Sequence, residues 1–201
     1  MKKIITTTIH ITRGEWDLNS ETGWVGGKFA VNNLSTGYHG ILKQWLDHQA
    51  NDAKNCLLVS ENKVVKEQFK THYEHIDFKT LDFYEEMNQE VDLKYNLCEP
   101  WENSVTETFD IILCQATFEH LYDPVTAITN LSNILNVNGL LLIHTHVPGM
   151  EYHPYPRDYL RFYPDWFVDI TKFKKNLTCV ELIEVNHHIF SAYKKIGNNN
   201  V

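Results

Sequence analysis

The sequence lacks the features that mark several common classes of protein. No apolar run approaches the roughly 18–20 residues that a membrane-spanning helix needs. The basic, apolar start of the chain breaks into threonines at residue 6, too early for a signal peptide. The phosphate-binding pattern Gly-x-x-x-x-Gly-Lys-Ser/Thr, the dinucleotide pattern Gly-x-Gly-x-x-Gly and the hydrolase pattern Gly-x-Ser-x-Gly are all missing. These absences exclude P-loop and ordinary dinucleotide sites and the serine-hydrolase elbow.

Cysteine is scarce and scattered along the chain. The four cysteines, at positions 56, 98, 114 and 179, form no Cys-x-x-Cys pair, and three of them lie in or beside apolar runs. Cysteines in such settings are usually reduced thiols that act as small core residues. We therefore expect no disulfide and a cytoplasmic location.

A basic lobe is also missing. The chain carries 18 Lys and Arg against 26 Asp and Glu, a net charge of -8. Residues 1–100 hold 11 basic and 15 acidic residues and residues 101–201 hold 7 and 11, so each half is -4. Because proteins that hold nucleic acid or anionic membranes concentrate positive charge, neither partner is expected here. A small-molecule substrate is the expected partner, and the oligomeric state is left open.

From residue 54 onward, short apolar runs alternate with amphipathic segments. This alternation predicts a doubly wound α/β fold, a mainly parallel seven-stranded sheet that ends in an antiparallel hairpin. The predicted strands are 55–60, 76–83, 91–97, 109–116, 140–147, 178–185 and 188–195. The predicted helices are 62–73, 124–135, which the pair Asn138-Gly139 would stop, and 164–175.

Residues 1–53 differ from the remainder of the chain. They contain six of the nine glycines, scattered Trp and Tyr residues and one helix candidate, Leu34–Gln49. We therefore expect an N-terminal cap over residues 1–53, an α/β domain over 54–196 and a flexible tail over 197–201.

In a doubly wound sheet, ligands bind beyond the carboxyl ends of the strands. Asp82 stands at the end of the second predicted strand, where an acidic residue can accept hydrogen bonds from ribose hydroxyls. An ordinary loop carboxylate is the alternative interpretation of Asp82. The ends of the first, third, fourth and fifth strands are also rich in polar side chains.

Three consecutive pieces of the chain resemble one family. Residues 109–115 begin Phe-Asp and continue as an apolar strand, residues 119–124 read Glu-His-x-x-Asp-Pro, and residues 135–142 read like a Leu-x-Pro-Gly-Gly-x-Leu motif. Residues 153–163 resemble a His-x-Pro-x-Asp-Tyr-x-Arg-Phe-Thr loop. Together these pieces, best over 91–170, resemble the class I S-adenosylmethionine-dependent methyltransferases that act on small molecules.

The resemblance implies S-adenosylmethionine as cofactor and a place for each of its parts. Asp82 would bind the ribose, Asn96 and Leu97 would flank the adenine, and Gln115 and Ala116 would face the sulfonium. The loop of Ser60, Glu61 and Asn62 would lie against the amino-acid end.

That loop departs from the family pattern. The family's first strand ends in a glycine-rich loop that lets the backbone approach the cofactor, whereas this chain has no glycine between Gly40 and Gly139. Asn62 is expected to replace a glycine in part, because asparagine tolerates a positive φ. Leu58 stands where the family has an acidic residue.

A methyl acceptor with a hydroxyl group needs a general base, whereas a neutral amine need not have one. The candidate catalytic residues are His120, His153 and Asp158, and the candidate substrate contacts are His146, Tyr155 and Arg161. Structural interpretations remain for each of them. In particular, Asp158 and Arg161 are expected to form an ion pair that fixes the loop around them.

The eleven histidines also raise the question of a metal. His144 and His146 lie two apart on one predicted strand, and Glu119, His120 and His153 could lie near them, as in zinc hydrolases. A His-x-His pair is common by chance, however, so no metal is expected. His187 and His188 are expected to lie exposed at the far hairpin.

Two functions therefore remain open at the level of the sequence. The first is methyl transfer from S-adenosylmethionine to a small acceptor, such as a sugar or another metabolite. The second is a degenerate methyltransferase fold that no longer binds cofactor and serves as a binding or scaffold module. A metal-dependent hydrolase ranks third.

Overall fold

The computed structural model describes residues 11–14, 46–47, 51–83, 90–101, 104–154, 157–185 and 187–197. Within these residues the chain forms eight strands and three α-helices. The strands are β1 (Ile11–Gly14), β2 (Asn55–Val59), β3 (Asp77–Asp82), β4 (Leu93–Lys94), β5 (Phe109–Gln115), β6 (Leu135–His146), β7 (Leu177–Val185) and β8 (His188–Lys195). The helices are α1 (Lys63–His72), α2 (Pro124–Ile134) and α3 (Pro164–Phe173).

All eight strands belong to one sheet, in the order β1-β7-β8-β6-β5-β2-β3-β4. Every neighbouring pair is parallel except the two pairs that involve β8, which runs antiparallel to both β6 and β7. The predicted doubly wound, mainly parallel sheet with a C-terminal antiparallel hairpin is thus confirmed. The structure adds an eighth strand, β1, at the edge beside β7.

The sheet is covered on both faces, which explains why its central strands are continuous apolar runs. Successive side chains of β2 point to opposite faces. Cys56 and Leu58 pack with Phe69 of α1 on one face, and Leu57 and Val59 pack with Leu131 of α2 on the other. Burial on both sides is therefore encoded by an unbroken apolar strand flanked by amphipathic helices.

Helix α2 ends within one residue of the predicted end, but the predicted stop at Asn138-Gly139 is wrong. Helix α2 begins as expected, with Asp123 accepting a hydrogen bond from the backbone of Thr126 (3.0 Å) and Pro124 in the first turn. It ends at Ile134, and β6 starts at once because Leu135 pairs with Phe109 and is buried there. The Asn138-Gly139 pair lies inside β6, where Asn138 takes φ 69° at an irregularity in the ladder.

The predicted strand 91–97 is also shorter in the structure. Only Leu93 and Lys94 pair, with Leu81 and Asp82 of β3. Beyond them Asn96 turns the chain: its side chain accepts from the backbone of Cys98 (3.0 Å) and its carbonyl accepts from the indole of Trp101 (2.8 Å). Asparagine competes with the sheet by such local bonds, so the strand stops early.

Most of the N-terminal segment lies outside the described residues. Of the helix candidate Leu34–Gln49, only Leu46 and Asp47 are described; both are helical, and Leu46 is buried against the α1 side of the sheet. The division of the chain at residue 53 and the flexible tail stay predictions.

The four cysteines are buried and unpaired, as predicted. Burial raises the pKa of the Cys179 thiol to about 11, and the pKa values of the Cys56 and Cys114 thiols are raised as well. These thiols are therefore unreactive core residues. Among the helices that the structure describes, none combines the length and the hydrophobicity needed to cross a membrane.

Asp110 ties three segments together at the amino ends of the central strands. Its carboxylate accepts from the backbone N–H of Lys54 (2.8 Å) and from the side chain of Asn136 (2.9 Å), and its backbone N–H donates to Asn55 (2.8 Å). Burial alone would raise the pKa of Asp110, but these hydrogen bonds lower it below the ordinary value. The clamp fixes where β2 and β6 enter beside β5.

We expect Asp110→Ala to lower the free energy of unfolding by about 2 kcal/mol, because it removes two hydrogen bonds to a charged acceptor. Asp169→Ala, which removes an exposed ion pair with Lys172, is the matched control and should cost no more than about 0.5 kcal/mol. A depressed pKa means that the carboxylate form stabilises the fold, so the Asp110 effect should be full at pH 7 and shrink below about pH 4. Equal urea midpoints for the two variants would contradict the clamp.

Candidate active site

At the centre of the sheet, the chain leaves two paired strands, β2 and β5, in opposite directions. The chain continues from β2 to β3 and β4 on one side, whereas β5 and β6 lie on the other side of β2. The carboxyl ends of β2 and β5 are thus the topological switch point, where ligands bind in open α/β sheets. Val59 and Cys114 are paired at this edge, immediately before the loops that follow both strands.

Both loops begin with a residue in the left-handed region. Ser60, directly after β2, has φ 60°, and Ala116, directly after β5, has φ 45°. The backbone N–H of Ser60 donates to the carbonyl of Leu81 (2.7 Å), and that of Ala116 donates to the carbonyl of His144 (2.9 Å). Residues other than glycine are uncommon in this region, and such strained positions concentrate at functional sites.

The predicted role of Asn62 as the glycine substitute is wrong. Asn62 has φ -96° and caps α1, its side chain accepting from the backbone N–H of Val65 (3.0 Å). Capping requires an extended backbone and an oxygen on the side chain, so it competes with the left-handed conformation at the same residue. Ser60 takes the positive φ instead.

Glu61 and Asp82 are acidic neighbours at this edge. Burial, and after it the charge of Asp82, raises the pKa of Glu61 to about 8. Asp82 is the last residue of β3, as predicted, and its carboxylate accepts from the backbone N–H of Phe83 (2.6 Å). Two carboxyl groups close together disfavour double ionisation, so Glu61 holds its proton at neutral pH.

The other predicted cofactor contacts lie along the same edge, at the ends of β4 and β5. Gln115 is buried at the end of β5, and its side-chain oxygen has no hydrogen-bond partner among the described residues. Leu97 is buried, with its carbonyl accepting from Asn130 (3.0 Å), and Asn96 is half-buried in the turn before it. A buried, unpaired amide oxygen is unusual and indicates a missing partner.

Glu119 is the centre of a second cluster, beyond β5 and β6. It lies on a single 3-10 turn, Phe118–His120, and its side chain is completely buried. One carboxylate oxygen, Oε2, accepts from the hydroxyl of Thr145 (2.6 Å). The other, Oε1, lies 3.0 Å from Nδ1 of His146 and 3.6 Å from Nε2 of His153. Burial would raise the pKa of Glu119, but the imidazoles of His146 and His153 hold it well below its ordinary value.

His120 reaches the same carboxylate from the 3-10 turn. Its Nδ1 contacts the carbonyl oxygen of Arg157, and its Nε2 lies 3.9 Å from Glu119 Oε1. Because a carbonyl can only accept, Nδ1 carries a proton and Nε2 of the neutral ring is left with its lone pair. His120 is thus oriented as an acceptor towards the cluster.

The loop after β6 is fastened over the cluster. Asp158 and Arg161 form the predicted ion pair, with Nη2 of Arg161 2.6 Å from Oδ2 of Asp158. Asp158 also accepts from the backbone N–H of His153 (2.9 Å), and its Oδ2 lies 3.4 Å from Nδ1 of that ring. The carbonyl of Glu119 accepts from the backbone of Tyr159 (2.8 Å). These contacts hold His153 between two carboxylates, and the neighbouring carboxylate of Glu119 raises the pKa of His153.

The expectation that His188 is exposed is wrong, although His187 is exposed as predicted. His188 is buried opposite His146, and its Nδ1 lies 2.9 Å from Nε2 of His144. Burial, followed by the charge of His146, lowers its pKa to about 4. The cause is topological, since β8 runs antiparallel and therefore begins at the edge where the parallel strands end.

The structure thus brings His120, His146, His153, Asp158 and Arg161 together around one buried carboxylate. Tyr155 lies outside the described residues. Glu119 was named from the sequence only as a possible neighbour of His144 and His146 and not as a catalytic or substrate-binding residue. The signal for it was its position: a carboxylate four residues after a mainly apolar strand, followed at once by histidine. The assigned roles of all these residues stay predictions.

Comparison with known proteins agrees with this architecture. A family model described as "Methyltransferase domain" matches residues 59–143, from the last residue of β2 to Ile143 in β6. A search of curated protein sequences finds no match.

Solved structures of methyltransferases share the fold. An S-adenosylmethionine-dependent methyltransferase from Clostridium acetobutylicum ATCC 824 has a TM-score of 0.61 and 11% identity. The match covers 90% of this chain and 96% of that protein. The O-methyltransferase of a trans-AT PKS multienzyme of Brevibacillus brevis, solved with S-adenosyl-L-homocysteine, has a TM-score of 0.55 and 11% identity. The match covers 86% of this chain and 81% of that protein.

An O-methyltransferase family protein from Burkholderia thailandensis has a TM-score of 0.56 and 10% identity over 79% of this chain, which spans only 57% of that protein's length. At these identities the likeness concerns the fold. The family model and the fold together agree with the resemblance to class I S-adenosylmethionine-dependent methyltransferases. Residues 59–143 thus match a methyltransferase domain, and the chain has the fold of the class I S-adenosylmethionine-dependent methyltransferases.

Proposed function

We propose that the protein transfers the methyl group of S-adenosylmethionine to a small-molecule acceptor. The cofactor supplies an electrophilic methyl group on a sulfonium. The protein must then hold an acceptor in line and exclude water. The family match supports the reaction class, and the polar edge of the sheet supports the location.

The left-handed turn at Ser60 carries this proposal. A glycine-rich loop normally lets the backbone approach the cofactor, and the chain has no glycine there. Ser60 nevertheless adopts φ 60°, and its hydrogen bond to Leu81 O keeps the turn in place. The backbone path is thus maintained at a cost in strain, and strained positions of this kind concentrate at functional sites.

The polar groups around this turn also fit the cofactor. Asp82 ends β3 beside the loop and offers acceptors for ribose hydroxyls. The buried side-chain oxygen of Gln115, at the end of β5, could accept a hydrogen bond from the cofactor. Ser60, Glu61 and Asn62 would line the amino-acid end, and Asn96, Leu97 and Ala116 would complete the pocket.

The acceptor would lie over the cluster around Glu119. His120 is the proposed general base, because the contact of Nδ1 with Arg157 O places the lone pair of the neutral ring on Nε2. His153 and Asp158 would position the acceptor from the loop, together with His146, Tyr155 and Arg161. An acceptor with hydroxyl groups, such as a sugar, suits a site lined by imidazoles and carboxylates.

One observation favours the alternative of a fold without catalysis. Glu61 follows Ser60 in the cofactor loop, and its largely desolvated carboxyl group would compete for the space of the cofactor's methionine end. A side chain there is larger than the hydrogen of a glycine. The alternative protein would bind a partner and no cofactor, so a binding titration separates the two functions.

We expect calorimetric titration to show S-adenosylmethionine and S-adenosylhomocysteine binding in the micromolar range. Asp82→Ala should weaken both affinities at least about tenfold, since it removes an acceptor of a charge-assisted hydrogen bond. Asp77→Ala, at the exposed start of the same strand, is the matched control and should bind as the unmodified protein does. A screen of hydroxylated and amino acceptors, read out as S-adenosylhomocysteine release, would then identify the substrate.

Absence of binding up to millimolar cofactor, with and without acceptor mixtures, would exclude the proposed activity and leave the scaffold function. Binding that Asp82→Ala does not change would instead show that the ribose lies elsewhere.

The protonated Glu61 makes a separate prediction about stability. A carboxyl group whose pKa rises from 4.5 to about 8 on folding binds its proton more tightly in the native state. Its contribution to stability is therefore present below pH 4.5 and is lost as the pH rises towards 8. Glu61→Gln mimics the protonated form. Its free energy of unfolding should therefore rise, relative to that of the unmodified protein, by up to about 1.4 kcal/mol per pH unit across that window.

Thermal unfolding of the two proteins at pH 5, 6, 7 and 8 would measure this difference. A constant difference across the series would mean that Glu61 titrates normally and is solvated.

A further inference from the structure

Three potential metal-ligand atoms converge beyond the carboxyl ends of β5 and β6. They belong to Glu119, His146 and His153, and all three lie within 4.8 Å of one another. Each comes from a different segment: the 3-10 turn, the end of β6 and the loop fastened by Asp158. Residues far apart in the sequence thus present one carboxylate and two imidazoles to one point.

Two of the polar atoms in this cluster lack an aligned hydrogen-bond partner among the described residues. Glu119 Oε1 and His146 Nδ1 are fully buried, and neither finds an aligned hydrogen-bond partner in the described part of the chain. They lie 3.0 Å apart. Buried polar atoms without partners are rare in native structures, and an unplaced ion is one of the accepted explanations.

The separations match those of atoms that share a metal ion. With metal–ligand distances of about 2.0–2.2 Å, two ligands are about 3.0 Å apart at a right angle and about 3.4 Å apart at a tetrahedral angle. The carboxylate oxygen lies 3.0 Å from His146 Nδ1 and 3.6 Å from His153 Nε2. A small cation would require little movement of these side chains.

The surrounding contacts also resemble those that orient metal ligands. Oδ2 of Asp158 lies 3.4 Å from Nδ1 of His153, the ring nitrogen opposite the one directed at Glu119. A carboxylate placed behind a histidine in this way fixes the tautomer and raises the basicity of the ligating nitrogen. Arg161 anchors Asp158, and Thr145 donates to the second oxygen of Glu119 (2.6 Å).

We propose that Glu119, His146 and His153 bind a divalent transition-metal ion. Two imidazoles and a carboxylate suit zinc, iron, cobalt, nickel or manganese, and three protein ligands leave coordination positions open. The ion would compensate the buried negative charge of Glu119. This proposal departs from the expectation of no metal, because the sequence pattern alone did not reveal that these three residues meet.

A role in the reaction follows if the protein transfers methyl groups as proposed above. A hydroxyl group on a metal ion loses its proton more readily, so the ion would help His120 to activate a hydroxylic acceptor. Metal binding itself does not depend on that function.

The test is a metal titration of the full chain. Purified protein, stripped with a chelator and dialysed, is titrated with Zn²⁺ against a chromophoric chelator, and Co²⁺ is added separately to record its visible absorption spectrum. We expect one tight equivalent of Zn²⁺ and a Co²⁺ spectrum typical of nitrogen and oxygen ligands. Glu119→Gln and His153→Ala should each weaken binding at least about tenfold, and Asp158→Asn should weaken it less.

His72→Ala is the matched control, because His72 is an exposed histidine at the end of α1. The affinity of the His72→Ala variant for Zn²⁺ should equal that of the unmodified protein. His153 is partly exposed, so its removal tests the site even if Glu119→Gln fails to fold. Circular dichroism of each variant checks the fold.

Absence of Zn²⁺ and Co²⁺ binding at millimolar concentration would overturn the proposal and leave a hydrogen-bonded network of imidazolium and carboxylate groups. Tight binding that Glu119→Gln and His153→Ala do not change would also overturn it, since the ion would lie elsewhere. The cofactor titration is scored separately. Metal binding without cofactor binding would uphold this site and exclude methyl transfer.

Discussion

The buried negative charge of Glu119 is the constraint on which the candidate site depends. A carboxylate removed from water costs several kcal/mol unless it is compensated by opposite charge and hydrogen bonds. Here Thr145 and the imidazoles of His146 and His153 surround the carboxylate, while its main-chain carbonyl accepts from the loop residues Tyr159 and Leu160. One residue thus orders the 3-10 turn, the end of β6 and the loop above them.

The single antiparallel strand has an effect on the site as well as on the sheet. Parallel strands all end at one edge, and β8 is the one strand of the described sheet that begins there. His188 consequently lies beside His144 and His146, and the exposed turn at His187 lies against Gly149 of the loop. A side chain at Gly149, which has φ 106°, would collide with the His187 ring, so hairpin and loop pack closely only because that position is glycine.

Most of the fold could be predicted from the pattern of apolar residues along the chain and from the residues at the ends of its helices and strands. The runs of β2, β5 and β8 and the Asp-Pro start of α2 predicted elements that the structure has, because apolar burial and capping act locally. The start of β6 was not predictable, because pairing of Leu135 with Phe109 is a tertiary effect that outweighs the turn preference of Asn138-Gly139.

The site was predicted less completely for a related reason. The sequence located the cofactor edge, and it identified the Asp158–Arg161 pair, which depends on residues three apart. It gave no means of deciding which of Ser60 and Asn62 takes the positive φ, because helix capping and loop geometry compete there. The convergence of Glu119, His146 and His153 required the three-dimensional positions of segments far apart in the chain.

The position of β1 has a consequence for synthesis of the chain. Residues 11–14 pair only with residues 182–185 in the described sheet, so the first strand to be made waits for almost the last. At about 5–20 residues per second, that wait is roughly 10–30 seconds on the ribosome. During this time residues 11–14 have no partner strand in the described sheet, so the β1 edge of that sheet forms only after β7 has been made.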